Sequence, residues 1–309
     1  MIGEAVILLG APRSGTTVLF DTLGRSSHLW SLGQESHEVL EGPFHPSLRG
    51  WDSNALAAED LDPATAEALR TQFVLRAQPG TVWRRRGERR AAGAGSSSAE
   101  RLGYFGERVG AALRRRAGRI RLLEKTPKNC LRIPFLRALF PRARFVFLRR
   151  DGRPTVSSLM DGWRAGGEYG TYDPPEPLSI AGYGGRRWCF VLQPGWRDLV
   201  RAPLEEVCAA QWSSCASAVL RHLPPLRSAG VLHECTYEDL VRDPRGTLEA
   251  ILRFLGIPWE DDLLPGGTLP VVNAVTPPDP EKWRRRNGEA VERILPRIAE
   301  VQTALGYPA

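Results

Sequence analysis

Four apolar or β-branched runs recur along the chain: AVILLG (5 to 10), RIRLLEK (119 to 125), ARFVFLRR (143 to 150) and AGVLHECTY (229 to 237). Each is followed by a helical pattern, and that alternation predicts βα units on a mainly parallel sheet. The helix after the first strand is expected from about Thr16 to Arg25. Further helices are expected near 63 to 77, 99 to 117, 129 to 139, 153 to 164, 203 to 222, 237 to 255 and 288 to 304. The fold class that follows is α/β, three-layered about a central sheet, as one domain over 1–309.

Two stretches break the alternation. Residues 83 to 100, WRRRGERRAAGAGSSSAE, pass from an arginine cluster into a run of small residues and read as a flexible insertion. Residues 163 to 201 are rich in glycine, proline and aromatics, and a loop that long is commonly functional. Its aromatics either cap a binding site or, like Trp188 and Trp196, anchor the loop to the core; the sequence leaves both open.

Composition narrows the function classes. With 42 % hydrophobic and 25 % charged residues the chain is ordinary globular material. AVILLG lacks a basic leader and runs into a Gly/Pro loop, so it reads as a buried strand rather than a signal segment. No stretch has the roughly 20 apolar residues of a membrane span, so a soluble, cytoplasmic protein is expected. The five cysteines are widely spaced with no CxxC pair, which points to reduced, structural thiols rather than a disulfide or zinc framework. Net charge is +7, carried almost wholly by arginine: only Lys125, Lys128 and Lys282 are lysines. Each is a candidate for a position where the guanidinium fork would not serve. The basic balance suits an anionic ligand. The arginine clusters at 84 to 90, 114 to 116 and 284 to 286 are not interleaved with a stacking platform, so no specific nucleic acid is expected.

The octet GAPRSGTT (Gly10 to Thr17) follows a strand and opens a helix, the setting of a phosphate-binding loop. Glycines allow the tight path, backbone N–H groups converge on an anion, and the helix N-terminus adds partial positive charge. The spacing of Gly10 and Gly15 is that of GxxxxGK[ST], but Thr16 stands where the lysine belongs and the cation is upstream at Arg13. Ser14, Thr16 and Thr17 add hydroxyls. A second segment, RFVFLRRDGRPTVSSL (144 to 159), ends a strand and enters a helix, with Arg150 and Ser158 eight residues apart. An arginine there offers charge-assisted bonds to phosphate oxygens.

These segments resemble those of the sulfotransferases that use 3'-phosphoadenylyl sulfate (PAPS), and PRSGTT is closest in style to tyrosylprotein sulfotransferases and related bacterial enzymes. The resemblance implies that Arg13, Ser14, Gly15, Thr16 and Thr17 hold the donor's 5'-phosphosulfate, and that Arg150 and Ser158 bind its 3'-phosphate. LLEKTPKN (122 to 129) is similar to the family's strand-end lysine segment, assigning Lys125. TYEDLVRDP (236 to 244) assigns Tyr237 to the nucleotide, and TPPDPEKWRRRN (276 to 287) resembles a basic C-terminal loop, assigning Lys282, Trp283 and Arg284. The product would be adenosine 3',5'-bisphosphate (PAP).

What the resemblance implies chemically is in-line attack of an acceptor hydroxyl on sulfur, with Arg13 and Lys125 stabilising the sulfuryl group and leaving phosphate. No divalent metal is expected: the sequence has no HExxH, clustered histidines or paired acidic strand end. Where cytosolic small-molecule sulfotransferases carry a histidine after the strand-end lysine, this chain has Pro127. Tyrosylprotein and heparan-type enzymes use a glutamate beyond the phosphate loop, and LGQESHEVLEG (32 to 42) offers Glu35 as the base. His37 is the next candidate, then Glu38 and Glu41. The acceptor is open between a small molecule, natural product, lipid, sugar or tyrosyl peptide, because such pockets are built from variable loops. The competing expectation is an ATP-dependent P-loop kinase, against which stand Thr16 and the Arg150/Ser158 pair.

Overall fold

A computed structural model of the chain describes residues 1–80, 119–270, 279 and 281–309. The insertion at 83 to 100, the helix expected at 99 to 117 and residues 276–278 and 280 lie outside the described residues.

The four expected strands form as β1 (Ile2–Leu9), β4 (Ile120–Lys125), β5 (Ala143–Arg149) and β8 (Leu232–Thr236). Two very short strands, β2 (Trp30–Ser31) and β3 (Gln78–Pro79), join them in a six-stranded sheet of order β3-β2-β4-β1-β5-β8. All neighbours are parallel except β2 and β3. A separate two-stranded ribbon pairs β6 (Gly170–Tyr172) with β7 (Trp188–Cys189). The sheet is mixed α/β and mainly parallel, as the sequence pattern predicts.

Side chains alternate between its faces with period two. Ala5, Ile7, Leu9, Leu122, Phe145 and Phe147 face one core, and Val6, Leu8, Leu123, Val146 and Leu148 face another. The first core packs against α5 (Gly152–Ala165), α6 (Leu204–Ser228) and α9 (Lys282–Ala304). The second packs against α1 (Thr16–Leu23) and α8 (Pro244–Leu255). Strands buried on both faces need helices on both, and that requirement makes the three layers.

Several boundaries differ from the sequence reading, for local reasons. The helix expected at 129 to 139 splits into a 3-10 turn (Pro127–Leu131) and α4 (Ile133–Leu139), because Pro134 is tolerated only in a first turn. The helix expected at 237 to 255 divides into α7 (Tyr237–Arg242) and α8. Pro244 starts the second piece, capped by Asp243 Oδ1, which accepts from Gly246 N at 2.9 Å. The last helix begins at Lys282, not 288, so from Lys282 the basic segment is helical up to a kink at Asn287. Two helices, α2 (His37–Phe44) and α3 (Pro63–Arg76), precede the second long strand. In the 163 to 201 stretch Trp188 and Trp196 are fully buried, their rings edge-on at 5.5 Å, so this part of the loop is anchored in the core. All five cysteines are buried and free.

Candidate active site

Parallel pairing in register brings the ends of four strands to one edge of the sheet. Leu8 lies opposite Lys125, Leu9 opposite Phe147, and Arg149 opposite Thr236. The residues at or just beyond the strand ends, the loop from Gly10, Lys125, Arg150 and Tyr237, therefore converge where open α/β sheets bind ligands. A cleft of about 720 Å³ opens there.

The loop enters α1 through two left-handed residues, Arg13 (φ 68°) and Gly15 (φ 93°). Positive φ in a non-glycine residue is uncommon and costs about 1–2 kcal/mol, and alternating conformations of this kind turn successive N–H groups inward. Gly15 occupies the N-cap and offers no side-chain acceptor to the first amides of α1. A Cβ at Gly15 would lie 2.4 Å from Tyr237 Cδ2, so the tyrosine ring closes directly on the loop backbone. Ser14 is buried and donates to Ala11 O at 2.6 Å, whereas Thr16 and Thr17 line the cleft.

Two groups of charged side chains flank this loop. In the first, Arg13 Nε donates to Ser158 Oγ at 3.1 Å and its guanidinium lies 5.3 Å from the Tyr169 ring centre. Arg150 donates to Arg13 O at 2.8 Å and stacks 4.0 Å above Tyr237. Burial lowers the pKa of Arg150, and its buried Nε has no hydrogen-bond partner among the described residues. The loop cation Arg13 thus lies against the same serine that is spaced eight residues from Arg150.

In the second group Lys125 Nζ donates to Glu35 Oε1 at 2.6 Å and to Thr17 Oγ1 at 3.1 Å. Glu35 Oε2 is 2.8 Å from His37 Nε2. Burial would raise the Glu35 pKa, but the bond from His37 and the charge of Lys125 outweigh it and hold it at about 2. Behind Lys125, the buried Glu124 Oε1 accepts from Ser36 Oγ at 2.6 Å, Thr126 Oγ1 at 2.8 Å and Asn129 Nδ2 at 2.9 Å, tying the Glu35 segment to the strand end.

Some expected residues stand elsewhere. Lys282 and Trp283 line the cleft, but Lys282 Nζ is 3.5 Å from the buried Asp161 carboxylate, which Arg286 also approaches at 3.4 Å. Arg284 is exposed, pairs with Glu281 at 2.7 Å and lies 4.4 Å over the Trp283 ring. Glu38 pairs with Arg76 at 2.7 Å on the surface. Glu41 is turned inward to Lys128, at 2.6 Å. The sequence marked Lys128 only as one of three lysines, and Tyr169, Tyr172 and Phe190 only as aromatics of the 163 to 201 stretch, with no particular role for any of the four.

The Sulfotransferase family matches residues 5–179 and 186–261. The chain belongs to that family. Among curated relatives it is 26 % identical over 203 residues to protein-tyrosine sulfotransferase 1 of Danio rerio, covering 60 % of this chain and 48 % of the relative. It is 25 % identical over 203 residues to protein-tyrosine sulfotransferase 2 of Gallus gallus, covering 60 % of this chain and 46 % of the relative. The chain thus spans about half the length of the curated relatives it matches. Among solved structures, a sulfotransferase from Alicyclobacillus acidocaldarius superposes with TM-score 0.48 at 14 % identity, over 100 % of this chain and 98 % of the other.

Proposed function

We propose that the protein transfers a sulfuryl group from PAPS to an acceptor hydroxyl. The observation that carries this reading is the Lys125–Glu35 pair, 2.6 Å apart and hydrogen-bonded to Thr17 of the phosphate loop, because it joins a cation for the leaving group to a base for the acceptor. ATP has no 3'-phosphate, so a kinase would leave the Arg150/Ser158 group on the opposite side of the loop without a ligand.

The donor's chemistry fits the residues present. Its 5'-phosphosulfate suits the inward amides of the Arg13–Gly15 turn with Thr16 and Thr17, the buried Ser14 supporting the turn from behind. Its 3'-phosphate suits Arg150, whose buried Nε has no hydrogen-bond partner among the described residues, together with the Ser158 hydroxyl that Arg13 now engages. Arg13 gives up that contact to serve the sulfuryl group. Tyr237 packs against Gly15 beside the nucleotide, and Lys282 and Trp283 supply the rim, with Arg284 outside them.

In the reaction the acceptor oxygen bonds to sulfur as the bond from sulfur to the 5'-phosphate oxygen breaks. PAP leaves with the bonding pair, and Glu35 takes the acceptor proton. A carboxylate held at about 2 is a weak base. Donor phosphate drawing on Lys125 weakens that hold and raises the proton affinity of Glu35 only when the donor is present. The acceptor is a peptide or small molecule. Tyr169 and Phe190, stacked at 5.2 Å and lining the cleft, favour an aromatic carrier, in keeping with relatives named for tyrosine. Five free cysteines support a reducing compartment, the cytoplasm, and no described helix is long and apolar enough to cross a membrane.

Thermal shift tests the donor. At a hundredfold excess over Kd a ligand stabilises by about 2.7 kcal/mol, so PAP raises Tm by several degrees. Stabilisation by ATP with magnesium and none by PAP would reverse the reading in favour of a kinase.

A further inference from the structure

Glu35 precedes the first turn of α2, and side chains rather than a rigid element fix its carboxylate. Lys125 holds Oε1, and His37 Nε2 holds Oε2 at 2.8 Å. His37 is itself held by Lys128. The Lys128 side chain is 2 % exposed, its Nζ is 3.2 Å from His37 Nδ1 and 2.6 Å from Glu41 Oε1, and it lies 4.4 Å from the Tyr172 ring centre. We propose that Lys128 is a positioning residue for sulfuryl transfer, which through His37 keeps a hydrogen on Nε2 and so aims the Glu35 carboxylate at the acceptor. The inference rests on the function proposed above.

The contact between Lys128 Nζ and His37 Nδ1 holds one proton. When lysine carries it, the ammonium donates to the bare Nδ1, and a neutral imidazole then has its only hydrogen on Nε2. When the ring carries it, Nδ1–H faces the amine and Glu41 Oε1, 3.6 Å away, and the imidazolium keeps Nε2–H as well. In both states Nε2–H donates to Glu35 Oε2, so the imidazole has no vacancy there for an acceptor proton. Glu35 is left as the base and His37 as its holder.

The surroundings keep this proton shared. Facing Lys128 are Glu41 and His37 of α2, Arg132 beside α4, Tyr172 of β6, and Glu35. Glu41 Oε1 accepts from Lys128, from Arg132 Nη2 at 3.3 Å and from the Tyr172 hydroxyl at 2.8 Å. Burial brings Lys128 down to about 8 against the opposing pull of Glu41. Burial also lowers the pKa of His37, but its bonds to Glu35 and Glu41 outweigh this and raise it. The two affinities approach each other, which a guanidinium could not achieve; this explains a lysine in a chain whose other basic residues are nearly all arginine.

The test follows transfer from PAPS to 4-nitrophenol and to a tyrosine-bearing peptide across about pH 6 to 9, with PAP binding measured alongside. Lys128→Met is expected to lower kcat about 10–100-fold. PAP affinity and the KM for PAPS stay within about twofold, and the alkaline limb near pH 8 is lost. Lys128→Arg recovers part of kcat with the limb moved upward. His37→Gln, which still offers an N–H to Glu35, retains more activity than His37→Ala. Since Lys128→Met leaves Glu41 short of a cation, Lys128→Met/Glu41→Gln is made as well and is expected to restore Tm without restoring kcat. Wild-type kcat and an unmoved alkaline limb in Lys128→Met overturn the proposal, as does recovery of kcat together with Tm in the double variant. Absence of transfer by the wild type to either acceptor, with no binding of PAP, overturns the functional reading itself.

Discussion

Replacing Arg150 with methionine removes the cation assigned to the donor's 3'-phosphate while keeping much of its volume. Burial is already part of the folded protein, because the guanidinium is enclosed and its Nε has no hydrogen-bond partner among the described residues. Binding therefore gains bonds to phosphate without a large new desolvation cost. A hydrogen bond to a charged group contributes about 1.5–3 kcal/mol, and a guanidinium can offer two to one phosphate. Allowing for incomplete additivity, about 3 kcal/mol is at stake, or roughly 150-fold in Kd at 1.36 kcal/mol per factor of ten. Adenosine 5'-monophosphate, which lacks the 3'-phosphate, should lose only the part that comes from looser packing of Tyr237, now 4.0 Å from Arg150. Isothermal titration with both nucleotides reads the difference: the preference of the wild type for PAP over the monophosphate, about 100-fold by the same reckoning, collapses toward unity in Arg150→Met. If the two nucleotides weaken by the same factor, the 3'-phosphate does not bind at Arg150.

Two further outcomes follow from burial and charge. Trp188 is fully buried, packed on Trp163 and Trp196 with its indole N–H donating to Val191 O at 2.9 Å; Trp188→Ala should cost about 3–5 kcal/mol in urea unfolding. A loss below about 1 kcal/mol would mean that the 163 to 201 loop is not anchored there. Glu35 and Glu41 both have folded pKa values depressed below 4.5, so their stabilisation is complete above that value and is lost as pH falls, through about 2 for Glu35. The urea midpoint should fall between about pH 5 and pH 3, and Glu41→Gln should flatten that slope; an unchanged slope would contradict the ion-pair geometry.

Much of this was legible in the sequence because it depends on local pattern. The four apolar runs announce the parallel strands, the octet announces a tight turn from strand into helix, and the eight-residue spacing of Arg150 and Ser158 survives into a shared contact with Arg13. What was hidden depends on partners far apart in the chain. The strands Trp30–Ser31 and Gln78–Pro79 are two residues each and exist only by pairing with each other and with β4. The helix His37–Phe44 carries Gly42 and Pro43, which mask its pattern. In KTPKN only the scarcity of lysine marks Lys128; its burial comes from Arg132 close by in the chain and from Glu41 and Tyr172, which lie far from it in sequence.

The central claim is that Glu35, held between Lys125 and His37, takes the acceptor proton in sulfuryl transfer from PAPS. Single-turnover transfer of labelled sulfate from PAPS, wild type against Glu35→Gln, measures it most directly. The account predicts rapid transfer by the wild type and a loss of about 10²–10⁴-fold in the variant, with PAP affinity retained. Equal transfer rates in the two proteins would contradict it.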